Sequence, residues 1–265
     1  MVEETLINIE RGDFFLIAGP CVIESDEVCF EVAERVSALA DKNGVPYVFK
    51  SSYKKANRLS ASSYSGPGLE NGLDTLAKVK ERFHLPILTD VHETSEVEAV
   101  SQVADIIQIP AFLCRQTDLV VKAAATGRWI NIKKGQFLAP EDMAKIAAKA
   151  NSKKVMLTER GTSFGYRNLV IDFRSLLIMK ETGLKVVFDA THSLQLPGGG
   201  GDISTGQPQY LIPMAKAAVA VGIDGLFVET HPNPAQALSD AGAMLPLNKI
   251  EELLESIMRI REAAN

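Results

Sequence analysis

The sequence predicts a (β/α)8 barrel forming one domain over residues 1–265. Three observations predict it. Eight short runs rich in Val, Ile, Leu and Phe alternate strictly with longer amphipathic segments. The runs are nearly unbroken in hydrophobicity, as strands buried on both faces should be. The whole alternation fits within about 250 residues, the ordinary size of one such barrel. A doubly wound open sheet would also alternate strand and helix, but it usually joins its first strand to a helix through a Gly-rich fingerprint. Here the first run ends "AGPCVIES", and the only run of glycines, "GGGG", comes late in the chain.

The elements follow in order. Ahead of the barrel, "TLINIE" and "RGD" read as a small strand and a turn that could plug the barrel bottom. The first strand, "FFLIAGPC", leads into the helical pattern "DEVCFEVAERVSALADKNG", which has a glycine near its stop. "YVFKSS", "PILTDVHE" and "IIQIPAF" are the next three strands, and "WINIKKGQ" is the fifth, followed by the helix "EDMAKIAAKA". "KVMLTERG", "KVVFDATH" and "GLFVETHP" complete the set. The glycines after the seventh strand would let a loop close over a site and exclude water, as lids do.

Composition narrows the function. The formal net charge is −5, which argues against nucleic acid as a general partner. No apolar stretch approaches the roughly 20 residues that span a bilayer, and the start, "MVEETLINIERGD", lacks the pattern of a signal peptide. The three cysteines, Cys21, Cys29 and Cys114, suggest no disulfide framework. A cytoplasmic location is expected, with Cys29 a buried structural cysteine.

Every run keeps its polar residues at its C-terminal end, and in a barrel those ends converge on the face that builds active sites. Strand ends can be polar merely because they approach water, but these ends gather cations in an acidic protein. Lys50, Lys55, Arg58, Arg115, Lys133 with Lys134, and Arg160 all lie there. Successive strand residues face opposite ways, so only one of Lys133 and Lys134 should point inward. Lys134 and Lys54 are expected at the solvated surface. The set favours anionic substrate groups, phosphate or carboxylate. The seventh, eighth and first strands are neighbours in a closed ring. Their ends offer His192, Glu229 with His231, and Cys21, and Asp240 follows in the next loop. That group would make a plausible divalent-metal site. His84 and His92 are expected merely to cap strands.

"AGPCVIES", "KANR", "TDVHE", "QIPAFLCRQTDL", "KKGQFLAP", "LTERGTSFGYRNLVIDFRSL", "DATHSLQLPGG" and "VETHP…ALSD" resemble, in this order, the 3-deoxy-D-manno-octulosonate 8-phosphate synthases. The resemblance runs from about residue 14 to the last helix. It implies a (β/α)8 transferase, usually a homotetramer, that condenses phosphoenolpyruvate with D-arabinose 5-phosphate and releases phosphate. The product feeds the lipopolysaccharide core.

Position by position, the resemblance implies a phosphoenolpyruvate site made by Lys50, Lys55, Gln108, Lys133, Arg160 and His192. Arg58 would hold the arabinose 5-phosphate phosphate and Asn57 would address its hydroxyls, while Asp90 and Arg115 would line the site. Lys50, Lys55, Asn57, Asp90, Lys133 and His192 would form the catalytic group. Cys21, His192, Glu229 and Asp240 would hold a divalent ion such as Zn, Fe or Mn. Cysteine at position 21 marks the metal-dependent class of these enzymes, whose metal-free class has asparagine. Leu59, Lys54, Ser65 and the "GDISTGQPQYL" loop depart from the usual pattern, all at the aldose-phosphate end. The alternatives are the related heptulosonate 7-phosphate synthases, which use erythrose 4-phosphate, the more distant sialic acid synthases, and a non-catalytic anion-binding barrel.

Overall fold

The computed structural model describes residues 1–56, 63–163, 168–200 and 203–264. Eight parallel strands close into a ring: β1 (Phe15–Gly19), β2 (Tyr47–Lys50), β3 (Ile87–Asp90), β4 (Ile106–Ile109), β5 (Trp129–Lys133), β6 (Val155–Glu159), β7 (Lys185–Asp189) and β8 (Gly225–His231). Each pairs with the next, and β8 returns to β1 with Phe15 opposite Gly225 and Gly19 opposite Glu229. This is the expected (β/α)8 barrel.

Strand pleating sorts the side chains into two populations. Residues of one parity, among them Leu16, Phe49, Ile107, Leu157 and Val228, face outward into the layer between strands and helices. Residues of the other parity fill the barrel. Its lower half holds Phe15, Ile17, Val48, Leu88, Ile106, Trp129, Met156, Val187 and Phe227. One pleat step higher, the same faces carry Lys50, Asp90, Gln108, Asn131, Thr158, Asp189 and Glu229, all buried. The barrel is therefore apolar below and polar above. Two glycines make the tight interior possible. A Cβ on Gly19 would lie 1.9 Å from the Lys50 carbonyl oxygen, and one on Gly225 would lie 2.5 Å from the Phe15 ring.

The segment before β1 is a helix, α1 (Val2–Arg11), and not the expected strand. In "TLINIE", Ile7 and Ile9 alternate with polar residues like a strand, but Leu6 and Ile9 are three apart and share a helical face. Ile9 is fully buried against the apolar lower half of the barrel, with Leu6 packed beside it, whereas Ile7 is exposed. Gly12, left-handed at φ 108°, ends the helix by donating its N–H to the Asn8 and Ile9 carbonyls. The segment does plug the barrel bottom.

The outer helices α2 (Asp26–Lys42), α3 (Leu69–Phe83), α4 (Val97–Val103), α5 (Thr117–Ala125), α6 (Asp142–Ala148), α7 (Arg174–Lys180), α8 (Leu211–Val221) and α9 (Ile250–Ala264) follow the strands. On α2, Ser25 accepts the Val28 N–H as N-cap, and the chain turns out through Asn43 and Gly44 (φ 63°). The glycines after β7 do not form a loose loop throughout. Gln195–Gly200 pairs antiparallel with Ile203–Gly206. No helix among the described residues is long and apolar enough to cross a membrane.

Candidate active site

Lys50, Lys55, Asp90, Gln108, Lys133, Arg160 and His192 line one cavity of about 260 Å³ at the C-terminal mouth. Each except Lys55 and His192 is the last inward-facing residue of its strand or lies just beyond it, so the pleat delivers them to one place. Asn57 and Arg58, like Leu59, lie outside the described residues. Arg115 is exposed and does not line the cavity. Ser65 is exposed, and its carbonyl accepts the Lys55 N–H at 2.7 Å, while half-buried Lys54 lies 3.7 Å from Glu96.

Asp189 organises the cationic side. Its Oδ2 lies 2.5 Å from Nζ of Lys133 and 2.7 Å from Nδ1 of His192. Its Oδ1 accepts the backbone N–H groups of Thr191 and His192. Burial works against the charge of Asp189, yet His192 and Lys133 outweigh it and hold the carboxyl below the usual range. Burial pushes Lys133 below the ordinary lysine range, with Asp189 opposing. The Phe227 ring lies beneath, 3.8 Å from Lys133 Nζ and 5.5 Å from Lys50 Nζ, so both ammonium groups rest on an aromatic face.

Glu229 holds the opposite side. Lys50 Nζ contacts its Oε1 at 2.5 Å and Lys55 Nζ lies 3.8 Å away. Burial disfavours the Glu229 charge, but His192 and the three lysines outweigh burial and keep it well below the usual carboxylate range. Burial also opposes the charge of Lys55, but Cys21, Glu229 and Asp90 raise it above the ordinary lysine range. Below the mouth, Gln108, Asn131 and Thr158 form a chain of buried hydrogen bonds at 3.0 and 2.6 Å.

Ligand atoms of Cys21, Glu229 and Asp240 lie within 4.8 Å of one another, the one such group among the described residues. His192 Nε2 stands 3.5 Å from Glu229 Oε2 and 4.0 Å from Asp240 Oδ2. Asp189, an acceptor, holds a proton on Nδ1 and so turns Nε2 toward these carboxylates. Glu229 Oε2 is buried and makes no hydrogen bond among the described residues. Burial, then Asp240 and Glu229, push the Cys21 thiol well above its ordinary range. A thiol, two carboxylates and an imidazole are a donor set suited to a divalent cation. His231, on the same strand face as Glu229, faces Glu24 instead at 3.5 Å.

Other expectations need correction. Lys134 is fully buried, contacting Thr162 Oγ1 at 3.1 Å and Glu159 Oε1 at 3.5 Å, and is not a solvated lysine. It faces outward from the barrel, where the loop after β6 covers it. His92 does more than cap a strand: its Nε2 lies 3.0 Å from Asp90 Oδ2, and it lines the cavity. His84 ends α3 in the left-handed conformation. Sequence reasoning missed Gln136, whose buried Oε1 has no partner among the described residues, as does Arg160 Nη1. It also gave Asp189 no role, although Lys185, Val187 and Asp189 share one strand face and that parity was the available signal.

A closed (β/α)8 barrel whose polar mouth collects buried lysines, an arginine and acids around one cavity defines an enzyme acting on small anionic molecules. Residues 2–264 match the DAHP synthetase I family. The chain belongs to that family. It is 56% identical over 253 residues to the 2-dehydro-3-deoxyphosphooctonate aldolase of Azoarcus sp. (strain BH72), covering 94% of this chain and 91% of that one. It is 53% identical over 262 residues to the protein of that name from Cyanothece sp. (strain PCC 7425 / ATCC 29141), covering 97% and 96%. The one from Bordetella pertussis (strain Tohama I / ATCC BAA-589 / NCTC 13251) is 54% identical over 256 residues, covering 93% and 90%.

Proposed function

We propose that this chain is a transferase that condenses phosphoenolpyruvate with D-arabinose 5-phosphate to give 3-deoxy-D-manno-octulosonate 8-phosphate and inorganic phosphate. The observation that carries the reading is the convergence of Lys50, Lys55, Lys133 and Arg160 on one cavity, beside the group of Cys21, Glu229 and Asp240. The name shared by the similar proteins agrees with it. The enzyme would act in the cytoplasm as a homotetramer and supply lipopolysaccharide synthesis.

In the reaction, C3 of phosphoenolpyruvate attacks the aldehyde carbon of the aldose and forms the new C–C bond. Water adds its oxygen to C2, and its two protons go to the former aldehyde oxygen and to the leaving phosphate. The bond from C2 to the bridging oxygen breaks, so phosphate departs with that oxygen and C2 becomes the ketone. Both reactants are anions that repel one another, and the lysines with Arg160 offset that repulsion. Holding the two in reacting geometry lowers the barrier by several kcal/mol, at most about 11. Arg160 Nη1, buried at the cavity without a partner among the described residues, suits a phosphate or carboxylate oxygen. Lys50 and Lys55 crowd the Glu229 side and Lys133 the Asp189 side, so the two anionic ends of one substrate have separate donors.

Cys21, His192, Glu229 and Asp240 would hold a divalent metal, which when bound could polarise the aldehyde or orient water. Gln108 and Asp90 complete the lining, with Asn57 and Arg58 proposed for the aldose end.

An acceptor panel tests the reading. Purified enzyme, phosphoenolpyruvate and either arabinose 5-phosphate or erythrose 4-phosphate are mixed, and released phosphate is measured. Turnover with arabinose 5-phosphate well above that with erythrose 4-phosphate is expected. The reverse order would make this a heptulosonate 7-phosphate synthase, and no aldose-dependent release would make it a non-catalytic barrel.

A further inference from the structure

Among the described residues two side chains hydrogen-bond to the sulfur of Cys21, and of these only Asp240 belongs to the proposed ligand set. The other is Ser239, buried, whose Oγ lies 2.9 Å from Sγ. The thiol carries one hydrogen and gives it to Asp240 Oδ2 at 3.2 Å. The Ser239–Cys21 contact must therefore be made by the serine hydroxyl, with sulfur accepting.

We propose that Ser239 is a positioning residue that donates a hydrogen bond to the Cys21 sulfur and sets its strength as a metal ligand. The inference rests on the metal site proposed above.

The surrounding chain holds Ser239 in this place. Glu24, three residues after Cys21, accepts the Leu238 N–H at 2.8 Å and so ties the loop after β1 to the residue preceding Ser239. His231 Nδ1 accepts the Asn233 N–H at 3.0 Å, which leaves the ring proton on Nε2, 3.5 Å from the second Glu24 oxygen. Asp240 is left-handed at φ 47°, and its carbonyl accepts the Ala243 N–H at 2.9 Å. That turn brings the side chains of consecutive residues, Ser239 and Asp240, to one sulfur.

When sulfur loses its proton to a metal, the Asp240 contact loses its hydrogen but the serine hydroxyl still faces the thiolate. A donor on a metal-bound thiolate draws electron density from sulfur and makes the metal–sulfur bond less covalent, and such outer contacts tune metal sites. Ser239 lies outside the group of Cys21, Glu229 and Asp240 and does not line the cavity.

The test loads Co²⁺ into the full-length enzyme and into Ser239→Ala and Ser239→Thr. The near-ultraviolet sulfur-to-cobalt band is recorded, and Co²⁺ affinity is measured by competition with a chelating dye. In Ser239→Ala the band should move to longer wavelength, as sulfur regains the electron density the hydroxyl withdrew. Loss of the contact that orients Sγ should raise the dissociation constant by about 10–100-fold. Ser239→Thr, which keeps the hydroxyl, should restore both. Ser239→Gly makes the same deletion and replaces the alanine variant if that does not fold. A wild-type band in the hydroxyl-free variant would overturn the role of Ser239. Absence of any sulfur band in the wild-type enzyme would overturn the metal site itself, and this inference with it.

Discussion

Oδ2 of Asp189 bridges Nζ of Lys133, at 2.5 Å, and Nδ1 of His192, at 2.7 Å. One buried carboxylate oxygen therefore sets the position of a cation that lines the cavity and the tautomer of a proposed metal ligand. Asp189→Asn keeps the shape but puts an amide there. The Thr191 and His192 N–H groups keep the amide oxygen in the place of Oδ1, so its NH2 group meets Lys133 and Nδ1 of His192. Nδ1 becomes the acceptor while the ring proton sits on Nε2. Turnover should fall by about 10–100-fold, with a smaller change in KM. Steady-state kinetics, with circular dichroism to verify the fold, checks this.

Removal of metal by a chelator should abolish turnover, and adding back Mn²⁺, Fe²⁺ or Zn²⁺ should restore it. Undiminished activity in protein shown by elemental analysis to be metal-free would exclude a metal-dependent reaction. Cys21→Asn should lose tight metal binding while keeping part of the activity. Unchanged metal content in that variant would remove Cys21 from the ligand set.

Gly19→Ala should destabilise the barrel strongly. The added Cβ would meet the Lys50 carbonyl oxygen at 1.9 Å, and backbone on a central strand cannot step aside cheaply. The loss should reach the upper part of the ~1–3 kcal/mol usual for overpacking, or exceed it. Because β2 must shift, Lys50 moves off Glu229 and phosphoenolpyruvate affinity should fall as well. Urea denaturation read alongside calorimetric binding would expose either failure, and a wild-type midpoint would contradict the close approach.

Acid should weaken the fold partly through Asp90. Burial opposes its charge, but the His92 hydrogen bond with the charges of His92, Lys55 and Lys50 hold its carboxyl below the usual range. The folded pKa is thus lower than the unfolded value of about 3.9, and the unfolded chain binds more protons. The contribution is present above pH ~4 and is lost as pH falls through the folded value. The stability gap between wild type and Asp90→Asn should therefore narrow on acidification from pH 6 toward pH 3. A constant gap in urea midpoints across that range would refute the linkage.

The barrel was legible because doubly buried strands leave near-continuous apolar runs, and all eight are strands in the fold. The site was legible to the extent that the pleat carried it: Lys50, Gln108 and Glu229 sit on inward faces where strands end. Asp189 has the same parity but lacked a positive charge to draw attention. Lys134 misled because a lysine of outward parity reads as solvated, whereas the end of β6 and the loop after it supply Glu159 and Thr162. His231 shares the face of Glu229 yet turns to Glu24, a contact between the end of β8 and the loop after β1 that no local spacing announces. The start of the chain failed because a stretch of six residues satisfies both periods, and only burial of Leu6 and Ile9 against the barrel decides between them.

The Phe227 ring belongs at once to the packed lower barrel and to the bed under Lys133 and Lys50. Improving heat tolerance by repacking that aromatic stack would retune the lysines that line the cavity, so hardiness and turnover cannot be selected separately there. Engineers wanting a tougher catalyst should work on the outer helices, where surface changes leave the chemistry alone.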